Sequence, residues 1–308
     1  MSVGRAAGHP DYTSAGTSKF IPEIWSGKLL DKFYTATVYS EIANTDYEGE
    51  IKKVGDKVII RTVPTITIKD YVKGQKLTYE NPESAAVDLT IDYGKYFGFE
   101  CDDIDAYQSD IALMDKWSDD AGMQMKIAID YHVWSTIYNS ASSYNKGTTA
   151  GYRSGSFNLG TSGSPVQLTK ANIIDYIVDC GTVLDEYDVP ATDRWMVISA
   201  WIANLLKKSD LKDASMTGDG QSVLRNGRLG MIDRFTLYLS NQVYSVTDTV
   251  LCYYVQFGHK KALTFASQIT KTEQLRSSDT FADIVRGLNV YGFEVLQPTL
   301  MGTLYCRK

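Results

Sequence analysis

The chain has 308 residues, 44% hydrophobic and 22% charged, with 31 basic against 37 acidic side chains and a formal net charge of −6. This is the composition of a folded chain near the size at which one core divides into subdomains. It excludes tight duplex binding, because no basic excess is present to neutralise phosphates, and a spanning helix, because no apolar run approaches ~18 residues.

Residues 1–19 are Gly-, Ser-, Thr- and Ala-rich with almost no large apolar groups. They cannot bury enough surface to fold alone, which predicts an extended arm. Arg5 has no apolar run after it, so no secretory signal is visible. Phe20-Ile21-Pro22-Glu23-Ile24-Trp25 should anchor the arm, and Ser26 to Ala43 reads as a short helix with Leu29, Leu30, Phe33 and Val38 on its core side.

Gly55-Asp56 opens a strand with Val58, Ile60, Thr62, Ile66 and Ile68 on one face and Ile59, Arg61, Thr65, Thr67 and Lys69 on the other. Pro64 marks it as an exposed strand, since proline cannot donate to a ladder. A second run alternates Val87, Leu89, Ile91 and Tyr93 with Asp88, Thr90 and Asp92. Between them Asp70 to Ser84 holds Gly74, Asn81-Pro82 and charged residues. The segment predicts a long antiparallel hairpin with a polar tip. A two-stranded hairpin is marginal in water, so it needs a partner surface.

Tyr96 to Glu100 predicts a further short strand, and Asp102-Asp103-Ile104-Asp105 a turn into a helix over about 110–139. Met114, Trp117, Ala121, Met125 and Ala128 form its stripe, with Ile129, Val133 and Ile137 beside it. Ala141 to Pro165 is a loop. Thr169 is the expected cap of a helix to about Tyr187, with Ile173, Ile177, Gly181 and Leu184 inward and Pro190 ending the unit. Trp195 to Ser199 reads as a strand, Ala200 to Lys208 as a helix and Ser209 to Arg228 as a loop. From Met231 the chain is mostly strands, with a short helix or turn expected over Asp279 to Leu288.

Candidate chemistry is sparse. His9, His132 and His259 are far apart and have no ligand spacing, and His132 reads as a packed or interfacial residue. Asp102-Asp103-Ile104-Asp105 lacks the glycine and the spacing of a calcium loop, and its carboxylates fit better before a helix N-terminus. Gly218-Asp219-Gly220 and Gly160 to Gly163 do not connect a strand to a helix, so they read as loops rather than phosphate cradles. Cys101, Cys180, Cys252 and Cys306 form no Cys-x-x-Cys pair and read as free, buried thiols of a reducing cytoplasm. The reading is therefore no catalytic, cofactor or metal site and no enzyme.

The last third carries a different signal. Met231-Ile232-Asp233-Arg234-Phe235-Thr236-Leu237-Tyr238-Leu239-Ser240-Asn241 is followed by Phe257-Gly258-His259-Lys260-Lys261-Ala262-Leu263-Thr264-Phe265-Ala266-Ser267-Gln268, then by Glu273-Gln274-Leu275-Arg276. Phe281-Ala282-Asp283-Ile284-Val285-Arg286-Gly287-Leu288-Asn289-Val290-Tyr291-Gly292 comes next. This order over about 80 residues resembles the C-terminal part of the major capsid proteins of tailed bacteriophages, which share the Hong Kong 97 fold. Phe20-Ile21-Pro22 with Ile24-Trp25-Ser26 and Leu29-Leu30 is similar to the family's arm-to-helix start.

The resemblance implies an α+β fold in named parts. Residues 1–29 would be the N-terminal arm, 30–49 and 94–168 the peripheral domain with its spine helix at about 110–139, and 50–93 an extended hairpin loop lying on a neighbouring subunit. Residues 169–256 would be the axial domain and 257–308 C-terminal strands completing both domains. Residues 141–168 and 209–228 match no family motif. The implied function is self-assembly into hexamers and pentamers of an icosahedral head around double-stranded DNA. Assembly would occur in the host cytoplasm and end in the virion, without a membrane. Because the family's large N-terminal scaffolding extension is not seen, a separate scaffolding protein is expected, with a portal protein and a cement protein as further partners. Some members join a hairpin lysine to a neighbour's asparagine. Lys69, Lys73 and Lys76 with Asn241 and Asn289 are the raw materials here, but no carboxylate is picked out to assist, and the expectation is a shell without covalent links. An encapsulin-type compartment shell of the same fold is the alternative, disfavoured by the Gly/Ser/Thr-rich start. A hydrolase of unknown type is the remote one.

Overall fold

The computed structural model describes residues 37–46, 57–64, 66–84, 86–103, 113–209 and 230–308. The arm, most of the Ser26–Ala43 helix, Ile104-Asp105, His9 and Gly218-Asp219-Gly220 lie outside the described residues.

Two cores organise the described chain, and strand β5 (Arg194–Ile198) separates them. All five of its residues are buried. Met196 and Ile198 enter one core while Trp195 and Val197 enter the other, as period-two alternation requires. A central strand covered on both faces reads as an unbroken apolar run.

Strand β5 lies parallel to β7 (Phe235–Leu239) and antiparallel to β9 (Val250–His259). The seven-stranded sheet runs β4 (Val166–Gln167), β12 (Met301–Arg307), β9, β5, β7 and β6 (Met231–Ile232), with β8 (Ser245–Asp248) also paired to β9. One face is covered by helix α3 (Ile173–Asp185) and helix α4 (Ala200–Lys208). Ile173, Ile177, Gly181 and Leu184 of α3 are buried as their spacing predicts. The helix starts later than expected. Asn172, rather than Thr169, is the cap, and its Oδ1 accepts the Thr169 N–H at 2.7 Å. Arg194 ties α3 to the sheet. Its buried guanidinium donates to Asp185 Oδ1 (2.6 Å), Val189 O (2.6 Å) and Pro190 O (2.8 Å).

The second core lies on the other face of the sheet, under the long helix α2 (Leu113–Ile137). Only the C-terminal half of that helix is buried. Ile129, Val133, Trp134 and Ile137 are inside, whereas Trp117 and Ala128 are exposed. The predicted stripe is therefore only partly a core face: Met125 packs on the second core and Trp117 meets Phe99 of the strand below it edge-on at 5.9 Å, while Met114 and Ala121 are half-buried. Fully burying one large apolar side chain contributes ~1.5–3 kcal/mol, so the four inner residues fix the helix on the sheet. Trp134 packs on Trp195 with ring centroids 6.2 Å apart, and its carbonyl accepts from the buried amide of Gln256 at 3.1 Å.

Strands β10 (Leu263–Arg276) and β11 (Ala282–Val295) form a long hairpin, and β3 (Tyr93–Asp102) pairs with β11. Leu263, Phe265, Tyr291, Phe293 and Val295 root this three-stranded sheet in the second core. The helix or turn expected over Asp279 to Leu288 is a strand from Ala282 onward. Ala282, Val285 and Gly287 pair with Asp102, Phe99 and Phe97, and those ladder bonds hold the segment extended. The strand expected at Tyr96–Glu100 is longer for the same reason. Gly292 is required here, since a Cβ would sit 2.0 Å from Thr90 O.

Helix α1 (Tyr39–Ile42) crosses α2 and the foot of β10. Asp130, fully buried on α2, accepts from the N–H groups of Val38 (3.1 Å) and Tyr39 (3.0 Å) through Oδ1. Asn44 then bonds the backbone of Leu263 and Phe265. The next described element is the antiparallel hairpin of β1 (Lys57–Arg61) and β2 (Ala86–Thr90).

Candidate assembly surfaces

The β1–β2 ladder holds five residue pairs, from Lys57↔Thr90 to Arg61↔Ala86. Val58 and Ile60 pack inward on Leu89, Ile91 and Ala266, and Ile59 faces out. Beyond Arg61 the ladder stops, and the described residues of 62–84 continue as extended legs without strand pairing. Side chains hold the legs instead. Thr67 N–H donates to Glu80 Oε2 (3.2 Å), Lys69 Nζ reaches Thr78 Oγ1 (3.0 Å) and Glu80 (3.4 Å), and Ser84 Oγ donates to Thr62 O (2.5 Å). The Thr67 N–H, aided by Lys69, holds the Glu80 carboxyl below its ordinary range. Gly74 turns the tip at φ +87°, a conformation glycine reaches without strain.

The loop shows large apolar groups beside the charges of its tip. Val63 is 94% exposed, Ile68 90% and Tyr79 89%, and Ile66, Tyr71, Val72 and Leu77 are exposed with them. A soluble monomer rarely shows so many large apolar groups on one element, and such a surface marks a contact with another molecule. The signal was in the sequence, in Tyr71-Val72 and Leu77-Thr78-Tyr79, but the interspersed charges masked it. Lys73 and Lys76 are exposed beside these residues. Asn241 is exposed after β7, while Asn289 is half-buried on β11, where Ser267 Oγ donates to its Oδ1 at 3.3 Å. Among the described residues no hydrogen bond joins Lys69, Lys73 or Lys76 to either asparagine.

The remaining candidates sit in packing and hydrogen-bond contacts. His132 Nδ1 lies 2.8 Å from Tyr291 Oη, and its ring meets Tyr93 edge-on at 4.6 Å. Burial, with Lys95 adding, lowers its pKa and favours the neutral ring. His259 is buried and its Nδ1 accepts the Lys261 N–H at 3.1 Å. Asp103 is engaged by Arg276, whose hydrogen bonds hold its carboxyl below the usual range, and Asp102 ends β3. Among the described residues no group of three or more His, Cys, Asp or Glu could hold a metal ion. Gly160 to Gly163 form a turn, and Gly163 N–H bonds Asp248 at 2.5 Å. All four cysteines are buried, and burial pushes the Cys180 and Cys306 thiols well up, so neither is a ready thiolate. Among the described residues no helix is long and apolar enough to cross a membrane.

No family model and no curated protein matches the sequence. Solved structures do. A chain from Mycobacterium phage Che8 is 28% identical at a TM-score of 0.77, over 93% of this chain and 97% of that one. A chain of the capsid of Cyanophage P-SCSP1u is 15% identical at 0.72, over 98% and 100%. A chain of the mature capsid of bacteriophage PhiM1 is 17% identical at 0.66, over 98% and 96%.

Proposed function

We propose that this chain, a tailed-bacteriophage major capsid protein of the Hong Kong 97 fold, closes into hexamers and pentamers that wall an icosahedral head around double-stranded DNA. Its role is structural and its place is the virion. The observation that carries the finer reading is the 62–84 segment. It projects from a short ladder and shows seven large apolar side chains to solvent. Such a loop becomes stable by lying on a neighbour.

In this reading 1–29 is the arm and 50–93 the loop that crosses to the next subunit. Residues 30–49 and 94–168 make the peripheral part, with α2 as the spine. Residues 169–256 make the axial part, and 257–308 returns through both. The three-stranded sheet then belongs to the peripheral part and most of the seven-stranded sheet to the axial one. Each subunit presents a patch and receives a different one, the heterologous arrangement that generates rings. No catalysis is required. A separate scaffolding protein, a portal protein and a cement protein are the expected partners. A net charge of −6 leaves the wall with weak, non-specific DNA contact.

The test is to express the chain, with and without a candidate scaffolding protein, and to examine the product by sedimentation and negative-stain microscopy. Closed shells are expected. A folded product that stays at subunit size under both conditions contradicts the reading.

A further inference from the structure

The far end of the β10–β11 hairpin carries a feature that the loop and the two cores leave unused. Phe281 is 81% exposed at the turn between the strands. It does not sit on a loose loop. Its carbonyl accepts the Asp103 N–H at 3.0 Å, and Ser277 N–H closes the turn on Ala282 O at 2.9 Å. Thr280 Oγ1 bonds Glu100 and Ser277 Oγ. Arg276 is clamped between Asp103 and Asp283. A large aromatic ring is thus held out on a fixed turn, inside a collar of Glu100, Asp103, Asp279 and Asp283 against the guanidinium of Arg276. Among these described groups the collar is net acidic.

The same sheet carries a complementary feature. Antiparallel pairing puts Tyr96, Leu288 and Lys271 in one row, with Arg286 and Glu273 in the next row on that face. These side chains line a shallow cleft of about 400 Å³ over a floor at Phe97 and Gly287. Tyr96 is 83% exposed and Leu288 is exposed beside it, so the cleft has an apolar wall. Arg286 bonds Glu273 at 2.7 and 3.0 Å and Lys271 also pairs with it, leaving two cations against one carboxylate. Glu273 is therefore neutralised twice over, and the rim is net basic.

We infer that Phe281 with its acidic collar is a knob that inserts into the Tyr96–Leu288 cleft, with its Lys271–Arg286 rim, on a second copy of this chain. The two features cannot meet within one subunit. They lie seven residues apart on one extended strand, about 23 Å at ~3.3 Å per residue. Apolar character and charge are complementary between the two features, and fixed aromatic anchors are what dominate such contacts. A knob on one copy and a hole on the next is a head-to-tail contact, which closes into a ring when its rotation allows. The inference rests on the chain assembling with itself, and adds a second point of contact to the 62–84 loop.

The test is a cysteine pair in assembled particles. Phe281→Cys with Leu288→Cys, oxidised with copper phenanthroline, should give dimers and higher species on a non-reducing gel that collapse on reduction. Either single variant should give none, since the native cysteines are buried. Shells of the double variant without such species overturn the inference, while absence of shells from the wild-type chain overturns the capsid reading instead. If the double variant does not assemble, charge reversal decides. Arg286→Glu should lower shell yield by about tenfold or more, and Asp279→Arg in the same chain should recover most of it. Circular dichroism shows whether the Arg286→Glu subunit is folded. A folded single variant that assembles normally, or a folded double variant without rescue, overturns it equally.

Discussion

Replacing Val63–Glu83 by a short Gly-Ser turn should leave the subunit folded and abolish assembly. The structure supplies both magnitudes. Val58 and Ile60 keep their packing on Leu89, Ile91 and Ala266, and the five-pair ladder survives. The removed residues touch neither large core, so stability should change by no more than about 0.5 kcal/mol, as for surface changes generally. Assembly is different. Val63, Ile66, Ile68, Tyr71, Val72, Leu77 and Tyr79 are exposed in the free chain. Burying each on a neighbour is worth ~1.5–3 kcal/mol, about 10–20 kcal/mol gross for the set. Fixing the loop consumes much of that. Even a third of it, about 3–6 kcal/mol, is a factor of roughly 10²–10⁴ in affinity per contact. Thermal unfolding with sedimentation velocity reads both quantities on the same preparation. A variant that melts like wild type and still forms shells refutes the argument, as does one that no longer folds.

Three further outcomes follow from individual residues. Burial raises the Asp130 carboxyl above its ordinary range, although the Val38 and Tyr39 N–H groups pull it down. Its folded form therefore holds a proton more readily than the unfolded chain, and the associated stability is present below about pH 3.9 and lost as pH rises through the folded value. The melting temperature of wild type minus that of Asp130→Asn should fall from pH 4 to pH 7, and a pH-independent difference counts against the buried carboxylate. Arg194→Ala removes a fully buried guanidinium from Asp185, Val189 and Pro190. Asp185 keeps its pair with Arg234, so the cost is that of the two carbonyls left without a donor, about 2–3 kcal/mol in denaturant unfolding, and a loss under 1 kcal/mol would mean that these contacts do not hold the helix to the sheet. Mature particles boiled in detergent with reductant should run as a single band near 34 kDa, the mass of the chain. A reductant-resistant ladder would point to Lys69, Lys73 and Lys76.

The sequence made some of this fold readable and hid the rest for identifiable reasons. Helix α4 was legible to the residue because Ala200-Trp201-Ile202 follows a short β-branched run and a serine, and Lys207-Lys208 closes the last turn. The inward face of α3 was legible from a regular three- and four-residue spacing. The long helix was legible as an element, but not in its packing. Its apolar stripe runs the full length, while full burial is confined to the half near Trp134. Strand β11 was partly hidden because only pairing with both β10 and β3 makes it continuous. Gly287 admits Phe97, which would stand 2.3 Å from a Cβ. Asp130 gave no signal at all, since a single aspartate inside an amphipathic helix looks solvent-facing. The loop's outward apolar residues were not legible beside the charges of its tip, because charge spacing says nothing about which side chains find partners in their own chain.

The most direct test of the account is a cryo-electron microscopy map of the assembled particle at side-chain detail. Residues 62–84 of each subunit are expected against its neighbour, with Tyr71, Val72, Leu77 and Tyr79 buried between copies. A closed shell in which that segment folds back on its own subunit, or stands free of every neighbour, would contradict it.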